Sequence, residues 1–87
     1  MLFRSGLVYL EREMYDDARN FFEKTLKLGP NLTEAYYELG RAHWFAGDQD
    51  LAKETWTRGY TANKYSPWGK RCHELVDLVA EGRAPPR

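Results

Sequence analysis

The sequence predicts an all-α fold of two antiparallel helical hairpins followed by one terminal helix. Three observations carry this: the chain repeats itself at a spacing of 34 residues, apolar positions recur at three- and four-residue steps within each unit, and glycine or proline stands where helices must end. Sliding the sequence by 34 pairs Gly6 with Gly40, Asp16 with Asp50, Ala18 with Ala52, Phe22 with Trp56 and Phe3 with Tyr37. The same shift keeps apolar or small character at Leu2 and Tyr36, Val8 and Ala42, Leu10 and Trp44, and Leu26 and Tyr60.

The first helix is expected over about Leu2–Arg12, where periodicity is already under way at Leu2 with no capping residue before it, a pattern that reads as an excerpt of a longer protein. The second, about Tyr15–Lys27, starts with Asp16 and Asp17, whose negative charge suits a helix N-terminus. Gly29-Pro30-Asn31 then separates the two units. In the third helix, about Leu32–Ala46, Tyr36, Leu39, Ala42 and Ala46 fall on one stripe. Ala46-Gly47-Asp48 supplies a glycine able to take the left-handed conformation after a helix and an aspartate suited to capping the next one. That next helix, about Gln49–Ala62, carries Leu51, Trp56 and Tyr60. Gly59 within it costs about 1 kcal/mol in helix propensity and is expected to mark a close helix contact. The last helix, about Pro67–Glu81, opens on a proline at a tolerated position and sets Trp68, Cys72, Leu75, Val76 and Val79 on one stripe. Its charged residues, among them Lys70, Arg71, Glu74 and Asp77, fall largely elsewhere, as a solvated cap over the second unit requires. Residues 83–87 read as a flexible tail.

Composition narrows the function. Thirteen Lys and Arg balance thirteen Asp and Glu, so no excess positive charge exists to release counterions from nucleic acid or to hold an anionic membrane. Neither partner is expected, and no run approaches the roughly 18–20 apolar residues of a membrane span. The single cysteine, Cys72, cannot form an internal disulfide, which fits a reducing compartment and suggests the cytoplasm. Aromatic residues make up 15% of the chain, a large supply of core and contact area for 87 residues.

The spacing Tyr36-x2-Leu39-Gly40-x2-His43 followed by Ala52-x3-Trp56 resembles the tetratricopeptide repeat, and Leu2, Gly6, Tyr9, Ala18, Phe22 and Pro30 give the first unit the same pattern. The resemblance covers about residues 1–64. It implies a right-handed superhelix with repeats at about 1–32 and 33–64, a capping helix at about 66–81, and one domain over 1–82. The two glycines would let the second helix of each hairpin approach the first, the two alanines would permit the return contact, and Phe22 and Trp56 would fill the space between. Ser5, Glu13 and Lys64 depart from the pattern. Glu13 replaces the turn glycine, where a left-handed conformation costs a non-glycine residue on the order of 1 kcal/mol, so the first hairpin is expected to turn differently or less stably.

In this family the first helices of successive repeats line a concave groove. The resemblance places Phe3, Leu7, Leu10, Glu11, Glu34, Tyr37, Glu38, Arg41, Trp44 and Phe45 on it. The apolar members would form a floor, and Arg41 a planar fork able to hold a carboxylate with two hydrogen bonds. Adjacent helical residues point about 100° apart, so at least one of Trp44 and Phe45 is expected to be accessible, and Trp44 to serve binding more than the core. Some members grip acidic chaperone tails with Lys, Asn and Arg. The matching positions here are Phe3, Leu7 and Glu38, so that clamp is absent, and an apolar or amphipathic segment of another protein is the expected ligand. The alternative is a self-associating homodimer, since two repeats fall short of the three or more that usually suffice for stability. RNA reading by helical repeats is disfavoured by the balanced charge and the two-unit length.

No catalytic chemistry is expected. His43 and His73 lack metal-ligand spacing, Ser5 and Ser66 lack a nucleophile elbow, and Glu34 and Glu38 share a face at a spacing that is usually solvated. Neither a cofactor nor a metal is implied.

Overall fold

The computed structural model describes residues 2–86; Met1 and Arg87, the outer ends of the expected domain and tail, lie outside them. Five helices follow in chain order: α1 (Leu2–Glu11), α2 (Tyr15–Leu28), α3 (Thr33–Phe45), α4 (Gln49–Ala62) and α5 (Pro67–Ala80). Every end lies within one residue of the range read from periodicity and breakers. The fold is all-α: α1 pairs with α2, α3 with α4, and α5 packs on both α4 and α3.

The core is layered between the hairpins. Leu10, Ala18, Phe22, Leu39 and Ala42 form one cluster, Tyr36, Ala52, Trp56, Cys72 and Leu75 a second, and Leu26 packs against both. The small residues behave as their repetition predicts. A Cβ on Gly6 would stand 2.6 Å from Phe22 Cε1, and one on Gly40 2.6 Å from Trp56 Cε2 and nearer still to the indole nitrogen. Phe22 and Trp56 are completely buried beneath these glycines. Gly59 marks the expected close approach, with a Cβ there falling 2.8 Å from Cys72 Sγ on α5.

Both hairpins turn in the same way, contrary to the expectation for the first. Glu13 takes φ 61° where Gly47 takes φ 98°. In each turn the left-handed residue donates its N–H three residues back, Glu13 to Leu10 and Gly47 to Trp44, both at 3.0 Å. The next residue donates five back, Met14 to Tyr9 and Asp48 to His43, both at 2.9 Å. The helix-terminal carbonyls are thus satisfied identically, and the chain tolerates a glutamate in a conformation that costs it on the order of 1 kcal/mol.

The capping expectation for Asp48 fails for a specific reason. Its side chain makes no cap hydrogen bond; instead its carboxylate accepts from Arg19 Nη1 at 2.6 Å, while Arg19 Nη2 pairs with Asp16. Arg19 therefore ties α2 to the start of α4. The real cap is Ser66, whose Oγ accepts from Gly69 N–H at 2.9 Å at the start of α5. Helix α5 starts 34 residues after α3, just as α4 starts 34 after α2, so it holds the place of a third first helix. The face that a sixth helix would cover carries Lys70, Glu74 and Asp77, all exposed, which is the polar outer surface that ends a repeat stack. Beyond α5, Pro85 is buried between exposed Ala84 and Pro86.

Candidate functional site

The positions expected on the concave face divide into three groups. Leu7, Leu10, Glu11, Arg41 and Phe45 come together, with Glu13 and Tyr15, around a hollow of about 680 Å³ between α1, the α1–α2 turn and α3. Its floor is apolar, from Leu7, Leu10, Tyr15 and Phe45, with the Tyr15 and Phe45 rings 6.2 Å apart. Its charged groups are Glu11, Glu13 and Arg41. Glu13 and Tyr15 escaped the sequence reading because they lie in and after the turn, outside the helix face that the repeat pattern addresses.

A second group forms a ladder across α3 and α5. The Arg41 guanidinium lies 5.7 Å from the Phe45 centroid and 6.0 Å from that of Tyr37. Tyr37 meets Trp68 at 5.2 Å, and Arg71 sits over Trp68 at 4.6 Å. Alternating cations and rings attract through the ring quadrupole, so this half of the face is already self-engaged. Trp68 and Arg71 were missed as members of this face. One further shift of 34 residues, from Glu34 and Tyr37, finds them.

The third group supports the face without lining the hollow. Phe3 packs on Phe22 at 5.6 Å. Glu38 is buried, and its Oε1 accepts from Arg41 Nη1 at 2.7 Å. Burial pushes the Glu38 carboxyl above its ordinary value, and the Arg41 hydrogen bond draws it back; Glu34 beside it adds a smaller upward push. Trp44 turns away from the hollow and meets Trp56 at 6.1 Å, packing against the second core cluster with Val76 and Val79. Its place is therefore internal, and Phe45 is the member of that pair that faces the hollow. The fork expected of Arg41 is half engaged: one arm serves Glu38, and Nε is buried with no partner.

Next to the main hollow lies a shallower one of about 480 Å³, sharing Glu13, Tyr15 and Phe45 and continuing along Asp16, Asp17 and Arg19. Elsewhere, burial pushes the Cys72 thiol up to about 12, and His43, buried beside Arg19, has its pKa lowered first by desolvation and then by that cation. Among the described residues no three His, Cys, Asp or Glu side chains converge to hold a metal ion, and no helix is long and apolar enough to cross a membrane.

Comparison with known families agrees with this architecture. Tetratricopeptide-repeat models match residues 1–31 and residues 33–64. No curated protein and no solved structure matches the chain.

Proposed function

Because the chain belongs to the tetratricopeptide-repeat family, whose repeats generally mediate protein–protein interactions, we propose that its concave face binds a segment of another protein. The observation that carries this reading is the open apolar hollow over Leu7, Leu10, Tyr15 and Phe45, set beside an engaged cation–ring ladder. An apolar floor with a few placed polar groups is the usual construction of a recognition pocket. A ligand side chain entering it would leave water against rings that are already held, so little ordering cost would offset the gain.

The test is selection of 12-residue peptides from a displayed library against the wild-type protein. Phe45→Ser should weaken the selected peptides at least tenfold while leaving the helical circular dichroism intact. Leu51→Ser, at an exposed position of α4, should leave binding unchanged. Equal binding to wild type and Phe45→Ser would remove the concave face from the proposal.

One observation favours self-association as a second reading. Leu39, Ala42 and His43 of α3 are buried against the first hairpin, and the residues 34 positions earlier are Ser5, Val8 and Tyr9. Val8 is 40% exposed, and Tyr9 forms a parallel stack with Phe21 at 5.3 Å. A second copy stacked there would cover the surface that the first hairpin covers in the second. Sedimentation equilibrium should then give a dimer for wild type and a monomer for Val8→Glu. A monomeric wild type at high micromolar concentration removes this reading.

A further inference from the structure

Charge decides what kind of segment the hollow would take. The two adjoining hollows are lined by four carboxylates, Glu11, Glu13, Asp16 and Asp17, against two guanidiniums, Arg19 and Arg41. Both cations are already answered within the protein, Arg41 by Glu38 and Arg19 by Asp16 and Asp48. An anionic ligand would meet the carboxylates with no uncommitted cation to hold it, and a purely apolar one would leave them partly desolvated without a partner. A ligand cation resolves both problems.

Resting on the concave-face reading above, we propose that the hollow takes a lysine or arginine side chain of the bound segment. The apolar stem lies on Leu7, Leu10 and Phe45, and the charged head sits between Glu11 and Glu13. Long cationic side chains are suited to such a site because they bury the stem while the head stays at the wet rim. The Tyr15 and Phe45 rings add attraction for a cation held over their faces. Glu13 accepts a hydrogen bond from the Tyr15 hydroxyl at 3.3 Å, and an ionised carboxylate has lone pairs for further donors. The turn itself gives no reason for a glutamate at this position, since Gly47 makes the same turn with the same hydrogen bonds. A strained residue on the wall of a hollow is the pattern expected where a side chain is kept for contact.

Two capped 12-residue peptides test this, both with leucine at alternating three- and four-residue steps, one with lysine and one with glutamate at the remaining positions. Binding is followed by fluorescence anisotropy at low salt and located by amide shifts. The lysine peptide should bind at least tenfold more tightly than the glutamate peptide and shift Leu7, Leu10 and Phe45. Glu11→Gln with Glu13→Gln should weaken it about 5–10-fold, in line with two rim ion pairs, and added salt should weaken it too. Glu13→Gly separates recognition from folding: it should raise Tm by ~4–8 °C through relief of the left-handed glutamate while lowering affinity for the lysine peptide.

Equal or tighter binding of the glutamate peptide, no binding of either peptide, or indifference of the lysine peptide to the glutamine pair overturns the proposal. If both peptides bind equally and Phe45→Ser abolishes both, the concave face stands and only the charge preference falls. If the lysine peptide binds Phe45→Ser as well as wild type, the concave face falls and the proposal with it.

Discussion

Gly40→Leu should unfold the second hairpin or lower the stability of the whole chain by about 3 kcal/mol or more, at the upper end of what forcing bulk into a packed contact usually costs. A Cβ alone would stand inside the Trp56 indole, 2.6 Å from Cε2. Trp56 cannot retreat cheaply, because it is completely buried, its Nε1 donates to the Tyr37 carbonyl at 3.0 Å, and Trp44 lies 6.1 Å away on α3 itself. Removing a helical glycine returns only about 0.8–1 kcal/mol of propensity, so the steric loss decides the sign. A chain of this length is stabilised by roughly 4–13 kcal/mol in total, at the usual range per residue. A loss of this size is therefore a large fraction of what holds the fold. Urea denaturation followed by tryptophan fluorescence measures it, with Thr57→Leu, at an exposed position on α4, as the control that should stay within about 0.5 kcal/mol of wild type. A midpoint for Gly40→Leu equal to that of wild type would mean that the two helices can separate without penalty.

The fold was legible because its determinants are local and repeated. Gly6, Gly40, Ala18 and Ala52 recur at one spacing since only small residues fit where the helices of a hairpin cross, and that steric demand is visible in sequence as a register. Helix ends were legible for a related reason: Gly47 and Gly82 take the positive φ that closes a helix. Glu13 does the same without being a glycine, so its turn geometry could not be read from residue type and emerged only from the hydrogen bonds around it.

The binding face was less legible, and the failures share a cause. Helical position fixes the direction in which a side chain leaves the backbone, but what covers it depends on neighbours far away in sequence. Trp44 leaves α3 toward Trp56 and the end of α5, so a position typical of the groove becomes internal here. Arg41 sits as expected, yet Glu38 one turn earlier takes one arm of its fork. Asp48 is a good capping residue by type, but a guanidinium from α2 offers its carboxylate a charge-assisted bond in place of a backbone amide.

Trp56→Ala should be the most damaging truncation in the chain, costing about 3–5 kcal/mol as a large aromatic side chain is lost from a packed interior. The indole is the largest completely buried side chain among the described residues, and the void would open under Gly40 and beside Ala52, neither of which carries atoms to fill it. Loss of the Nε1 hydrogen bond is the smaller part, because the Tyr37 carbonyl lies inside α3 and keeps its helical partner. The protein supplies its own comparison: at the equivalent place in the first hairpin Phe22 fills the space under Gly6 and is equally buried. Trp56→Phe should therefore recover most of the lost stability, leaving a deficit of about 1–2 kcal/mol from a smaller ring and the missing N–H. Trp44→Ala, truncating a side chain that is only partly buried, should fall between wild type and Trp56→Ala. Thermal and urea unfolding of the three variants gives the order directly. If Trp56→Phe were as unstable as Trp56→Ala, the hydrogen bond to α3, and not the filling of the space beneath Gly40, would be what holds the second hairpin closed.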